Sequence, residues 1–332
     1  MKEDTFLTDP SRPLLILMTP VRDEAWVLPA YLEVASQWAD AIVIADQNSG
    51  DGSREIMAGF PKVHVISNDC DDFNERDRWE MLIGKAREIA GGRDAILFGL
   101  DADEVFDSRF AGTEDWQRIL RSKPGDVFKF QWNVITPDKL RSWDYNYWYA
   151  WCFHDDGITE FRNGVSYMHT TRIPYPDNEE NVYEVHDFKV LHLAYLNRNR
   201  DRQKHRYYRF IEWEKDKMKP VWFGRTVDAI YGFSTSPFDH ELAVYPDGAD
   251  IFDLVDTEFS EFYYDHYIAA RLKNHPEEQI RKLPIWEKDF LARTGLSDPR
   301  RPVDKMIHRY LRHTSRKHRM IRWIDRVLNL FY

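Results

Sequence analysis

Short apolar runs alternate with helical patterns through the first hundred residues. Apolar runs at 14–18, 41–45, 63–66 and 95–100 are bounded by polar turns and predict four buried strands. Apolar positions that recur every three or four residues predict helices over 28–39, 53–60 and 76–90. Because strands alternate with crossover helices, we expect an α/β fold whose mainly parallel sheet is covered on both faces.

Beyond residue 110 the pattern is less regular. Residues 126–135 and 188–194 predict two further strands, and 197–219 predict a charged helix. Aromatic residues are dense over 143–151, which is typical of core packing and also of a surface that stacks sugar rings. Both interpretations stay open.

The strand at 95–100 leads directly into the acidic turn Asp101-Ala102-Asp103-Glu104. Three carboxylates repel one another, so gathering them beside a buried strand favours a bound cation, whereas a solvated turn is the alternative. In parallel sheets the loops at the carboxyl ends of the strands share one edge, where ligands bind. The loops TPVRDEA, DQNSGDGS and DADEVF are therefore expected to meet there, which favours a site at Asp101 and Asp103.

Composition and charge exclude several classes of function. A net charge of −10 over 332 residues argues against a nucleic-acid binder. Cys70 and Cys152 form no disulfide framework and no cysteine metal motif. The polar stretch MKEDTFLTDPSRP lacks the apolar run of a signal peptide, and nowhere do ~20 apolar residues follow one another. We expect a cytoplasmic protein.

Four motifs in register resemble glycosyltransferase family 2, the large group with the GT-A fold. Pro20, Asp23 and Glu24 follow the first strand, and the second strand ends in Asp46 before a Ser-x-Asp-Gly turn. Arg78 lies on the helix before the fourth strand, and LDADE matches the Asp-x-Asp signature with its trailing Glu. The resemblance covers about residues 14–106. It implies a GT-A-type Rossmann-like domain with a helical C-terminal extension.

The resemblance also implies a metal-dependent, inverting transfer of a sugar from a UDP- or GDP-linked donor to a glycan or lipid-linked glycan. Mn²⁺ or Mg²⁺ would be bound by Asp101 and Asp103, with His192 as third ligand unless it is a strand histidine satisfied by backbone. The nucleotide contacts implied are Thr19, Pro20, Arg22, Glu24, Asp46, Arg78, Asp101, Ala102, Arg202 and Lys204. Asp46 would accept a hydrogen bond from the base, or else cap its turn, and Asp51 is expected to be a capping residue.

The catalytic base is not identified by a motif. Asp187, Glu184 and Asp156 lie in the expected region, and Asp187 is the preferred candidate. A sugar-nucleotide nucleotidyltransferase is disfavoured, because TPVRDEA has no glycine with which to hold a triphosphate. A non-catalytic glycan-binding protein on a transferase-like fold is the other alternative.

We expect three regions along the chain. Residues 1–220 form the catalytic domain, 221–299 an accessory or acceptor-side region, and 300–332 a basic amphipathic helix. The last region contains ten Lys or Arg residues and two Asp residues, interleaved with apolar positions. Such a helix either packs on the protein or lies on an anionic membrane, which would make the protein peripheral to the inner face of the membrane.

Overall fold

The computed structural model describes residues 12–70, 75–135, 137, 141–161, 171–176, 180–215, 221, 224, 243–244, 250–314 and 319–332. Contacts divide the described residues into two units. The first lies within Met1–Asn197 and His240–Phe259, and the second within Arg198–Asp239 and Ser260–Tyr332. This division differs from the predicted boundary at residue 220, because the helix that begins at Arg198 is ion-paired within the second unit.

The first unit contains the sheet. Its strands are β1 Leu14–Val21, β2 Ala41–Asp46, β3 Val63–Ser67, β4 Ala95–Gly99, β5 Glu104–Phe106, β6 Val127–Ile135, β7 Arg141–His154, β8 Val182–Glu184, β9 Val190–His192 and β10 Ala243–Val244. Its helices are α1 Leu28–Trp38, α2 Ser53–Ala58, α3 Glu75–Ala90 and α4 Glu114–Leu120.

The sheet is mixed, and its strand order is β3-β2-β1-β4-β7-β6-β9-β5. β1 to β4 are parallel in the Rossmann-like order 3-2-1-4. β7 then pairs antiparallel with both β4 and β6. The predicted α/β fold class with a mixed sheet and helices is confirmed. The sequence analysis did not predict β5 or β7. β5 is only three residues long, and the aromatic residues at alternate positions of β7, from Trp143 to Trp151, were interpreted as a packing or sugar-stacking cluster and not as a strand.

Burial explains why the first four strands form. The side chains of β2 and β4 are buried throughout, as expected for strands with helices on both faces. The apolar side of α3, centred on Trp79 and Leu82, packs on residues of β1, β2 and β4. This packing fixes the edge at which the carboxyl ends of the strands meet.

The second unit is helical among its described residues. Its helices are α5 Arg198–Lys215, α6 Tyr264–Leu272, α7 Glu277–Ile280, α8 Lys288–Thr294, α9 Pro302–His313 and α10 Arg319–Phe331. In its interior Arg206 of α5 forms ion pairs with Asp265 at 2.6 Å and Asp289 at 2.9 Å. The prediction of one helix over 300–332 is wrong, because Thr314 adopts an extended backbone that ends α9. No described helix has the length and apolar character needed to cross a bilayer.

Candidate functional site at the carboxyl edge of the sheet

The ends of β1, β2 and β4 lie side by side. Val21 is in register with Asp46, and Gly99 with Met18. After β4 the chain turns over Asp101 to Glu104, closed by a 3.0 Å hydrogen bond from the Glu104 amide to the Asp101 carbonyl. The acidic turn therefore lies at the predicted edge of the sheet.

β9 brings a histidine to this turn. Glu104 of β5 is in antiparallel register with His192, although 88 residues of chain separate them. His192 Nε2 lies 3.7 Å from Asp103 Oδ2. Among the described residues, Asp103, Glu104 and His192 each place a ligand atom within 4.8 Å of the others. A divalent cation with metal–ligand distances of about 2.0–2.6 Å would fit between these atoms.

Glu104 is fully buried, and its carboxylate is already engaged by protein groups. It accepts a hydrogen bond from Trp132 Nε1 at 2.9 Å and one from the Asp101 amide at 3.0 Å. It is also ion-paired with Arg172. Burial raises the pKa of Glu104, and the Arg172 guanidinium opposes that rise. Glu104 thus organises the turn, which leaves Asp103 and His192 as the better-placed pair for a metal.

Arg172 is a site residue that the sequence did not reveal. Its Nη2 donates to Asp101 Oδ2 at 2.7 Å, so it joins Asp101 to Glu104. Burial alone would lower the pKa of Arg172, but both carboxylates raise it, and the guanidinium stays charged. Part of the positive charge expected beside the acidic turn is therefore supplied by the protein itself. No sequence motif around position 172 predicts that Arg172 pairs with the acidic turn.

A glycine makes room for Arg172. A Cβ placed on Gly99 would lie 2.7 Å from the Arg172 Cβ and 2.8 Å from its carbonyl oxygen. The guanidinium also lies 5.1 Å from the ring centroid of Trp151, within cation–π range. Close backbone approach at Gly99 therefore sets the position of Arg172.

The orientation of His192 is fixed by stacking. Its ring lies 4.8 Å from that of Trp132, with an interplanar angle of 11°. Trp132 is in turn hydrogen-bonded to Glu104, and it packs against Tyr149 with ring centroids 4.5 Å apart. At least part of the aromatic cluster therefore supports the site from within the fold.

Asp46, predicted to contact the base, ends β2 and is almost fully buried. Its Oδ2 lies 2.5 Å from Nε of Arg54, and its Oδ1 accepts a 3.2 Å hydrogen bond from the Ser49 amide. Arg54 is half exposed. The carboxylate therefore caps its turn and also faces a cation that solvent can reach.

Side chains tie the loops after β1 and β2 together. The Asp23 amide donates to Ser49 Oγ at 2.9 Å, and the Gly50 amide donates to Asp23 Oδ1 at 2.8 Å. Asp51 accepts hydrogen bonds from the amides of Ala25 and Ser53, which confirms that it caps the turn. These bonds hold both loops in one conformation at the edge of the sheet.

The other residues predicted to contact the nucleotide belong to both units. Thr19, Glu24 and Ala102 are buried, and Pro20 and Arg22 are partly exposed. Glu24 accepts a 2.6 Å hydrogen bond from Trp26 Nε1, so it contributes to loop structure.

The predicted basic contacts lie on two helices. Arg78 of α3 lies 3.3 Å from Glu75, and Glu75 also raises the pKa of Arg172. Arg202 and Lys204 belong to the second unit.

The predicted base Glu184 lies away from His192 along the sheet. Glu184 pairs with Lys129 of β6, whereas His192 pairs with Val134, five residues and roughly 16 Å further along that strand.

Asp187 and Asp156 also have local structural roles. Asp187 accepts a hydrogen bond from the Asp115 amide at the start of α4. Asp156 follows β7 near the amino end of β4, where the Asp155 amide donates to the Ala95 carbonyl. Burial would raise the pKa of Asp156, but hydrogen bonds from Thr159 and Ile158 lower it, so the carboxylate is a weak base.

Comparisons with known proteins give weak similarities. No family model and no curated protein matches the sequence. A 4-diphosphocytidyl-2C-methyl-D-erythritol synthase structure aligns at 16% identity with a TM-score of 0.30, over 44% of this chain and 76% of that one. Mannosyl-3-phosphoglycerate synthase from Rubrobacter xylanophilus aligns at 18% identity and TM-score 0.28, over 38% and 41%.

A third similarity is to glucosyl-3-phosphoglycerate synthase from Mycobacterium tuberculosis, in complex with Mn²⁺, UDP and glucosyl-3-phosphoglycerate. It aligns at 14% identity and TM-score 0.26, over 39% of this chain and 46% of that one. The chain thus spans less than half the length of both phosphoglycerate synthases. Similarity at this level assigns no activity, substrate or ion to this protein.

Proposed function

We propose that this protein is a metal-dependent glycosyltransferase that moves a sugar, with inversion, from a nucleotide-sugar donor to a glycan or lipid-linked glycan. The observation that carries the proposal is the pairing of Asp103 with His192 at the carboxyl edge of the sheet. Asp46 and the fixed loops after β1 and β2 lie along the same edge. Ligand sites of open α/β sheets occur at this edge.

Asp103 and His192 are the residues that would hold Mn²⁺ or Mg²⁺. One carboxylate and one imidazole leave coordination positions for phosphate oxygens, and the nitrogen ligand favours Mn²⁺ over Mg²⁺. The bound ion would neutralise the diphosphate and make it a better leaving group. Asp101 completes the Asp-x-Asp signature and is ion-paired with Arg172.

The donor's base and ribose would be bound by the loops after β1 and β2. Asp46 would accept a hydrogen bond from a base N–H after Arg54 moves away, which its exposure permits. The backbone near Thr19 and Pro20 would contact the base or ribose, with Arg22, Glu24 and Ala102 nearby. Arg78 is the proposed diphosphate contact on α3, and the roles of Arg202 and Lys204 stay predictions.

The decisive experiment is a thermal-shift screen of UDP- and GDP-sugars with and without Mn²⁺, followed by a transfer assay. A cognate donor at ~100 times its dissociation constant adds about 2.7 kcal/mol of stability. The shift should require Mn²⁺ and disappear in Asp103→Asn. It should persist in the matched control Asp156→Asn, which removes a carboxylate at the opposite end of β4.

The rival functions give different results in the same assays. A nucleotidyltransferase would consume a nucleoside triphosphate and a sugar phosphate and release pyrophosphate. A non-catalytic glycan-binding protein would bind glycans without any metal-dependent binding of donor. Either result would replace the proposal.

A further inference from the structure

The inner side of the last helix, α10, packs against α9. Leu328 and Tyr332 pack with the cluster formed by Ile307 and Leu311 of α9. Asp325 is buried, and its Oδ1 accepts a 2.9 Å hydrogen bond from the Tyr310 hydroxyl. This side of α10 needs no further partner.

The outer side of the same helix presents large apolar side chains to solvent. Trp323 is 64% exposed and Phe331 is 84% exposed, and Met320 and Leu330 are similarly exposed. Positions 320, 323, 327, 330 and 331 recur at helical spacing, so they share one side of α10. Four large apolar residues on one side of one helix form a surface that favours contact with an apolar phase.

Arginines border this apolar surface. Arg319, Arg322 and Arg326 are all exposed and recur every three or four residues, which places them along one edge of it. Asp325, the acidic residue of α10, is buried on the inner side. The charge that α10 presents to solvent is therefore positive.

We propose that the outer side of α10, with Met320, Trp323, Leu330 and Phe331 flanked by these three arginines, docks on a membrane that contains anionic lipids. The apolar side chains would enter the headgroup boundary, where tryptophan is favoured, and the arginines would contact lipid phosphates. A second copy of the chain is a poorer occupant, since a symmetric contact would bring the same three arginines together from both copies. The proposal goes beyond glycosyl transfer and does not depend on it.

Sedimentation of the 332-residue chain with vesicles tests the proposal. Vesicles of phosphatidylcholine alone are compared with vesicles that also contain phosphatidylglycerol, at low and high salt. Binding should require phosphatidylglycerol and weaken with salt. Each arginine near an anionic surface contributes a factor of about five, so Arg319→Gln/Arg322→Gln/Arg326→Gln should bind about a hundredfold more weakly.

Matched controls separate docking from general charge and hydrophobicity. Arg93→Gln/Arg121→Gln/Lys123→Gln removes the same charge from exposed positions elsewhere and should leave binding nearly unchanged. Trp323→Ser/Leu330→Ser should lose binding, whereas Val65→Ser/Ile158→Ser, also exposed, should retain it. Circular dichroism verifies that each variant is folded.

Three outcomes would overturn the proposal. The wild-type protein fails to bind vesicles with phosphatidylglycerol, or it binds both kinds of vesicle equally at every salt concentration. Alternatively, light scattering shows a dimer that Trp323→Ser/Leu330→Ser dissociates while vesicle binding is absent. The first and third results would leave the surface to another partner or to a second copy.

Discussion

Arg172 and Asp101 are joined by a 2.7 Å hydrogen bond at the carboxyl end of β4, and the same guanidinium is paired with the fully buried Glu104. An acidic turn next to a buried strand is therefore held by an internal cation as well as by the ion proposed at Asp103 and His192. The two positive charges would have separate tasks. Arg172 would organise the turn, and the proposed ion would bind the donor.

The first prediction concerns this internal cation. Arg172→Met should lower the free energy of unfolding by about 3–5 kcal/mol, because it leaves Glu104 buried without a counter-ion. The double variant Arg172→Met/Glu104→Gln should recover part of that loss, and urea unfolding measures both. Arg118→Met, which removes a more exposed ion pair with Asp115, should cost about 1 kcal/mol or less. Strictly additive effects of the two site substitutions would show that the pair is not coupled.

The second prediction concerns the close approach at Gly99. Gly99→Ala should destabilise the protein and weaken donor binding, because the new methyl group displaces the backbone of Arg172. Gly84→Ala is the matched control, since a Cβ there meets nothing within 4 Å and the residue lies inside α3. That control should raise stability by about 0.5–1 kcal/mol. Equal effects in thermal unfolding would refute the steric explanation.

The third prediction distinguishes metal ligands from their neighbours. Asp103→Asn and His192→Gln should each lower Mn²⁺ affinity by more than about tenfold, since even groups that only orient a ligand contribute that much. Asp101→Asn should lower it little, because its carboxylate is paired with Arg172. Trp132→Leu should produce an intermediate loss by releasing the His192 ring. Electron paramagnetic resonance measures free Mn²⁺ directly, and unchanged affinity in His192→Gln would exclude the histidine as a ligand.

The fourth prediction concerns pH and the second unit. Burial lowers the pKa of His205 to about 4, and nearby Arg209, Lys204 and Arg200 add to the effect. Asp201, 3.3 Å from the ring, favours the charged form, but burial and the three cations outweigh it.

The free energy of unfolding should depend on pH, because the folded and unfolded chains bind a proton on His205 at different pH values. The unfolded chain binds a proton on His205 near pH 6.5 and the folded chain does not, so stability falls as the pH drops from about 6.5 to 4. The loss should approach about 3 kcal/mol, the free energy that corresponds to such a shift. His205→Gln should show a smaller loss over that range in urea unfolding, and identical pH profiles would contradict the assignment.

Much of the first unit could be predicted because its elements carry strong local signals. The strands 14–18 and 95–100 and the helix 76–90 differ from β1, β4 and α3 by at most three residues at either end. The Asp-x-Asp turn followed directly from the end of a buried strand. His192 was identified through the family resemblance, and the register of β9 with β5 brings it next to Asp103.

The features that sequence reasoning missed depend on long-range contacts. Arg172 approaches the acidic turn from about seventy residues away and lies in no helical or strand pattern. Glu184, Asp187 and Asp156 looked suitable as bases because they are acidic and close in sequence to the expected region. Strand register separates Glu184 from His192, and Asp187 accepts a hydrogen bond at the start of α4; neither relationship is encoded in the spacing of charged residues.

The three-residue strand β9 is the last part of the chain that the proposed metal pair requires. β1 to β4 are complete by residue 99, so their pairing with one another needs no later part of the chain. The histidine joins only after nearly a hundred further residues have been synthesised and β9 has paired with β5. A nascent chain halted before residue 190 would contain β1 to β4 but would lack His192, the proposed metal ligand on β9. Binding of the proposed ion would therefore require that β9 has joined the sheet.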